Sequence, residues 1–144
     1  MTRSSTSAAG AAPDTPTPAP DTPAPAPAAH TATNTATLST HVLDAGTGRP
    51  AQGVPLDLER RADDAWEPIG RGVTDDDGRC RSLAPDGLRP GVWRLTFDTG
   101  SYFTATGVRG FYPEVSVVFE VTEPGHHHIP LLLSPFAYST YRGS

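Results

Sequence analysis

From Leu38 to Leu133, apolar and polar residues alternate in short runs, and Gly, Pro and Asp cut the runs apart. A period of two sends successive side chains to opposite faces of an extended strand, so each run has one face to bury. Leu38, Thr40 and Val42 share one face of a first strand, with Ser39, His41 and Leu43 on the other. Gly46-Thr47-Gly48-Arg49-Pro50 then breaks it. Val54, Leu56 and Leu58 alternate with Pro55, Asp57 and Glu59 in a second strand, and Trp66 to Gly72 reads as a third. Asp77-Gly78 is a tight-turn signal, because both residue types tolerate positive φ. Arg79 starts a strand after that turn, with Cys80 on the opposite face. Further strands are read at Trp93 to Phe97, Val115 to Val121, His128 to Leu133 and Tyr138 to Tyr141. The alternation lapses only between Thr99 and Gly107, where Ser101 to Thr106 reads as a short helix bounded by glycines. Seven or eight short strands and one short helix predict an all-β, two-sheet sandwich.

The first 37 residues contain no Leu, Ile, Val, Phe, Tyr or Trp. Such a stretch cannot bury enough apolar surface to offset ordering entropy, roughly 1–2 kcal/mol per residue for the backbone. Residues 1–37 are therefore expected to be a disordered Pro/Ala/Thr-rich tail, and residues 38–144 the folded domain.

The net charge of −5 argues against nucleic acid or an anionic membrane as the main partner. The chain has no lysine, which removes Schiff-base chemistry and the P-loop lysine together. The single cysteine, Cys80, allows no internal disulfide and fits a reducing compartment. No apolar run approaches the ~20 residues of a membrane helix, and Arg3 has no apolar segment behind it that would make a secretory signal. A soluble, cytoplasmic protein is the expectation.

Four of the five histidines fall in the folded part: His41 in the first strand, and His126, His127 and His128 before a Pro-Leu-Leu-Leu run. On a strand, His126 and His128 share a face and His127 points away. One reading is a metal site built from His41, His126 and His128, since three imidazoles and an open position suit zinc. No carboxylate or second cysteine stands at a familiar ligand spacing to support it. A second reading is metal-free acid–base chemistry, for which imidazole titrates near neutrality. A third is an idle surface cluster. Arg79 carries a guanidinium able to grip a planar imide or urea-like group through two hydrogen bonds. Asp75-Asp76-Asp77 has only a fragment of a calcium loop and reads as a solvated turn. Phe136, Tyr138, Tyr141 and Arg142 crowd the C-terminal stretch, which is expected to dock rather than fray.

Four motifs carry a resemblance. Ser39-Thr40-His41-Val42-Leu43-Asp44, Thr74-Asp75-Asp76-Asp77-Gly78-Arg79, His126 through Pro135, and Tyr138-Ser139-Thr140-Tyr141-Arg142-Gly143-Ser144 resemble the 5-hydroxyisourate hydrolases, the transthyretin-like enzymes of urate breakdown. Phe97-Asp98-Thr99-Gly100 and Phe111-Tyr112-Pro113-Glu114 also fit. The similarity spans Leu38 to Ser144, and only His127 stands where Tyr is common. The hormone-carrying transthyretins lack the terminal Tyr-Arg-Gly-Ser and replace the equivalent His and Arg, so the resemblance favours enzyme over carrier.

The resemblance implies two four-stranded sheets with a short helix, and a homotetramer with sites at the subunit interface. It implies hydrolysis of 5-hydroxyisourate to 2-oxo-4-hydroxy-4-carboxy-5-ureidoimidazoline, with no metal or cofactor. It places His41, Arg79, His128 and Ser144 in catalysis, and His41, Arg79 and Tyr141 in substrate binding. The alternative is a transthyretin-like carrier that holds a small ligand unaltered.

Overall fold

The structure, a computed structural model, describes residues 36–143. The expected tail, up to residue 35, and Ser144 lie outside the described residues. The strands are β1 (Ala36–Asp44), β2 (Arg49–Pro50), β3 (Pro55–Ala62), β4 (Ala65–Val73), β5 (Arg79–Cys80), β6 (Gly91–Phe97), β7 (Val115–Val121), β8 (Gly125–Ser134) and β9 (Ala137–Thr140). The helix α1 spans Thr99–Thr106.

Two sheets face each other. One runs β2-β1-β8-β9, with β5 also paired to β1, and the other runs β4-β3-β6-β7. The expected two-sheet β-sandwich is thus what forms. Their inward faces hold Val42, Leu58, Leu95, Phe97, Leu131 and Leu133, none of them accessible to solvent. Burying each such side chain stabilises the fold by about 1.5–3 kcal/mol before entropy is counted.

The pairing of β1 with β8 is parallel over nine positions, from Ala36↔Gly125 to Asp44↔Leu133. That long ladder explains two differences from the sequence reading. β1 begins at Ala36, two residues before Leu38, and β8 begins at Gly125, three before His128. Backbone pairing carries the strands into residues without apolar alternation. Arg49-Pro50, read as a break, pairs with Leu43 and Asp44 as the short β2.

The helix starts two residues earlier than Ser101 because Asp98 caps it, its Oδ1 accepting from the Ser101 N–H at 3.0 Å. Gly107, at φ 73°, closes it in the left-handed conformation that a side chain disfavours. Tyr102 and Phe103 face the core. The Tyr102 hydroxyl donates to Oδ2 of buried Asp44 at 2.7 Å, while Asp44 Oδ1 accepts from the Gly46 and Thr47 N–H groups. One carboxylate thereby ties α1 to the end of β1.

Candidate active site

The alternation of β1 puts Ser39 and His41 on one face, away from the core. His41 stands opposite Arg79 of β5 on one side and Pro130 of β8 on the other. Ser39 stands opposite His128. The register of three short segments, distant in sequence, therefore brings His41, Arg79 and His128 onto one patch of sheet. Arg79, Arg81, Ser39, His126 and His128 line an open depression of about 430 Å³ there.

The Asp77-Gly78 turn fixes Arg79 as expected, with Gly78 at φ 75°. A Cβ on Gly78 would stand 2.4 Å from the Val42 carbonyl, so the turn needs glycine both for its conformation and for its proximity to β1. Asp75 locks the same turn. Its N–H donates to the Arg79 carbonyl at 2.9 Å, and its Oδ1 accepts from the N–H groups of Arg79 and Asp77. The hydrogen bond from Arg79 is the main reason the Asp75 carboxyl titrates below its ordinary range.

His128 is half-buried, and its Nδ1 is 2.8 Å from Ser39 Oγ. Burial depresses its pKa, and the charges of Arg79, His126 and His41 depress it further. A neutral imidazole with one nitrogen occupied by Ser39 has its Nε2 left to act on a proton. His127 is buried and faces the core, as the two-residue period requires.

The C-terminal stretch docks. The Gly143 N–H donates to the His128 carbonyl at 2.8 Å, and Gly143 bridges to His128 as an isolated antiparallel pair. A Cβ on Gly143 would come within 2.6 Å of His128 Cδ2, so the absence of a side chain lets the ring lie against the backbone. Tyr141 is 60% exposed. It and Arg142 line a neighbouring apolar pocket, not the Arg79 depression, and His128 borders both. Single-chain geometry thus joins His41, Arg79 and His128 and leaves Tyr141 to one side.

Among the described residues, the His, Cys, Asp and Glu group whose ligand atoms converge closely enough for a metal is the exposed Asp75-Asp76-Asp77. His41, His126 and His128 do not form such a group. The sequence reading passed over Ser39 and Gly143. Ser39 carried a usable signal, being two residues from His41 and hence on the same face.

The sequence profile described as the HIUase/Transthyretin family matches residues 38–143. The chain belongs to the HIUase/transthyretin family. It is 46% identical over 109 residues to the 5-hydroxyisourate hydrolase of Salmonella dublin, covering 74% of this chain and 80% of that protein. Identity to the 5-hydroxyisourate hydrolase of Mus musculus is 46% over 117 residues, 78% of this chain and 99% of that one. The solved structure of Klebsiella pneumoniae 5-hydroxyisourate hydrolase superposes with a TM-score of 0.69 at 38% identity, covering 76% of this chain and 99% of that one. Transthyretin from Sparus aurata superposes equally well, with a TM-score of 0.70 at 37% identity over 74% of this chain and 96% of that one. Within the HIUase/transthyretin family the fold does not separate the two activities, and the side chains of the site must.

Proposed function

We propose that this chain is a 5-hydroxyisourate hydrolase that opens its substrate by metal-free acid–base chemistry. The observation that carries the reading is the juxtaposition of His41, Arg79 and half-buried His128 on one sheet face of a HIUase/transthyretin family member.

The substrate is a planar, polar, oxidised purine. Its pyrimidine-derived ring opens when water attacks an acyl carbon and the C–N bond breaks. That reaction needs a base for water, an acid for the leaving nitrogen and positive charge at the developing oxyanion. The His41/His128 pair activates the water, and the lowered pKa of His128 keeps its imidazole unprotonated and able to accept a proton at neutral pH. Arg79, locked by Asp75, anchors the substrate and faces the oxyanion. Tyr141 helps to bind the ring, and Ser144 orients water or a histidine. No covalent intermediate is required.

A homotetramer belongs to the same reading. The depression is open in one subunit, and Phe111, Phe136 and Tyr141 are each at least 60% exposed. A neighbouring subunit would cover such aromatics and could carry Tyr141 into an adjacent site. A cytoplasmic location suits the unpaired, buried thiol of Cys80.

Substitution tests the assignments. His41→Asn and Arg79→Ala should each slow 5-hydroxyisourate hydrolysis by on the order of 10²-fold or more while the fold persists; wild-type rates in both would defeat the assignments. Chelator treatment should leave the rate unchanged, and its loss would restore the metal reading.

A further inference from the structure

Thr37, His126, Ser39 and His128 form an unbroken line of hydrogen bonds across the β1–β8 pair. Thr37 Oγ1 lies 2.6 Å from His126 Nδ1. His126 Nε2 lies 2.8 Å from Ser39 Oγ, which lies 2.8 Å from His128 Nδ1. The parallel register sets Thr37 beside His126 and Ser39 beside His128. A one-residue slip would turn the partners to opposite faces and break every link.

A hydroxyl has one proton, so Ser39 accepts from one imidazole while donating to the other. Two polarities satisfy the line. In the first, His128 donates from Nδ1 to Ser39, Ser39 donates to His126 Nε2, and His126 donates from Nδ1 to Thr37. His128 Nε2 is then bare and basic. In the second, His126 Nε2 donates to Ser39, Ser39 donates to His128 Nδ1, and His128 carries a proton on Nε2 as an acid.

We propose that Ser39 is a positioning residue and proton bridge that switches His128 between base and acid during one turnover. The proposal rests on the hydrolase reading above, in which His128 handles the water proton. As water attacks, its O–H bond breaks, the C–O bond forms and the proton goes to His128 Nε2. The Nδ1 proton of His128 passes to Ser39, and the proton Ser39 held passes to His126 Nε2. The positive charge has moved from half-buried His128 to exposed His126. His128 faces Arg79 and Arg81 from the β5 side, His41 and Ser39 from β1, and His126 on its own strand. Charge is therefore better placed on solvated His126 than on His128. His128 then gives its Nε2 proton to the leaving nitrogen as the C–N bond breaks, in concert with the return of a proton to its Nδ1, so that the ring never becomes an anion. The extra proton of His126 returns through Ser39 to His128 Nδ1, restoring the first polarity with no net proton held.

The test compares wild type with Ser39→Ala and Ser39→Thr, reading kcat and KM on 5-hydroxyisourate and histidine tautomers by nitrogen-15 NMR. Ser39→Ala should lower kcat at least about 10-fold with little change in KM, and should mix the His128 tautomers. Ser39→Thr keeps the hydroxyl and should restore most of the rate and a single tautomer. His126→Gln combined with Ser39→Ala should cost no more than Ser39→Ala alone, because both cut one line. Wild-type kcat in Ser39→Ala, or a wild-type His128 without a proton on Nδ1, would overturn the proposal. A wild-type protein without hydrolase activity would instead overturn the function itself, while the tautomer spectrum still reports whether the line exists.

Discussion

At the scale of single residues, His128 sets the pH behaviour. Burial, and then the charges of Arg79, His126 and His41, hold its pKa below the ordinary 6.5. The unfolded chain then takes up this proton before the folded one as pH falls. The stability it contributes is therefore present above about pH 6.5 and is lost as pH drops through the folded value. For catalysis the same depression keeps the base neutral, so the acid limb of kcat/KM should lie below pH 6.5. In Arg79→Ala the repulsion is gone, and the limb of the residual activity should move up. A wild-type limb above 6.5 would contradict the environment described for His128. Gly143 makes a second residue-scale prediction. An added Cβ meets His128 Cδ2 at 2.6 Å and Cβ and Cγ at 3.2 Å, so Gly143→Ala must displace the ring. Displacement of a reacting group by about 1 Å can cost on the order of 10²-fold, whereas such crowding costs about 1–3 kcal/mol of stability. Kinetics and denaturant melts on the same variant should show both losses, and a wild-type kcat would mean that the ring position does not matter for turnover.

Elements are held in place by a few buried polar links. Tyr102 of α1 donates to Asp44 of β1, and burial, reinforced by that carboxylate, pushes the phenol up to about 12. The native state holds this proton more tightly than the unfolded chain. Its contribution is thus complete below pH 10 and is lost as pH climbs from 10 towards 12. Tyr102→Phe should cost about 1.5–3 kcal/mol, the range for a hydrogen bond to a charged group, measured as a lower urea midpoint with the slope kept. A midpoint unchanged from wild type would mean that Asp44 is satisfied by Gly46 and Thr47 alone. The strands were legible in the sequence wherever one face is buried, as in Leu56-Asp57-Leu58 or Val115 to Val121, because alternation reports which face meets the core. The parallel pairing of β1 with β8 was not. Alternation marks faces and not neighbours, and Ser39 and His128 are 89 residues apart. For the same reason His41 and Arg79 stood out by chemistry, while Ser39 read as one more polar strand residue. His126 reads equally as a metal ligand, an acid–base group or an idle surface histidine, because its partners Thr37 and Ser39 become visible only through the register.

For the molecule as a whole, the sandwich encloses its own core, and β1 starts at buried Ala36. Removing residues 1–35 should therefore leave melting temperature and turnover close to wild type, whereas a large loss of either would assign the tail a role. Sedimentation should report a tetramer that covers Phe111, Phe136 and Tyr141, and a monomer at micromolar concentration would defeat the shared-site arrangement. The central claim is that one sheet face of a HIUase/transthyretin family member holds a working hydrolytic site. It is tested most directly by generating 5-hydroxyisourate in situ and following its ultraviolet absorbance with the purified protein. Decay should be far faster than the unaided decay of the substrate, and slow again in Arg79→Ala. Decay at the unaided rate with folded wild-type protein would contradict the claim.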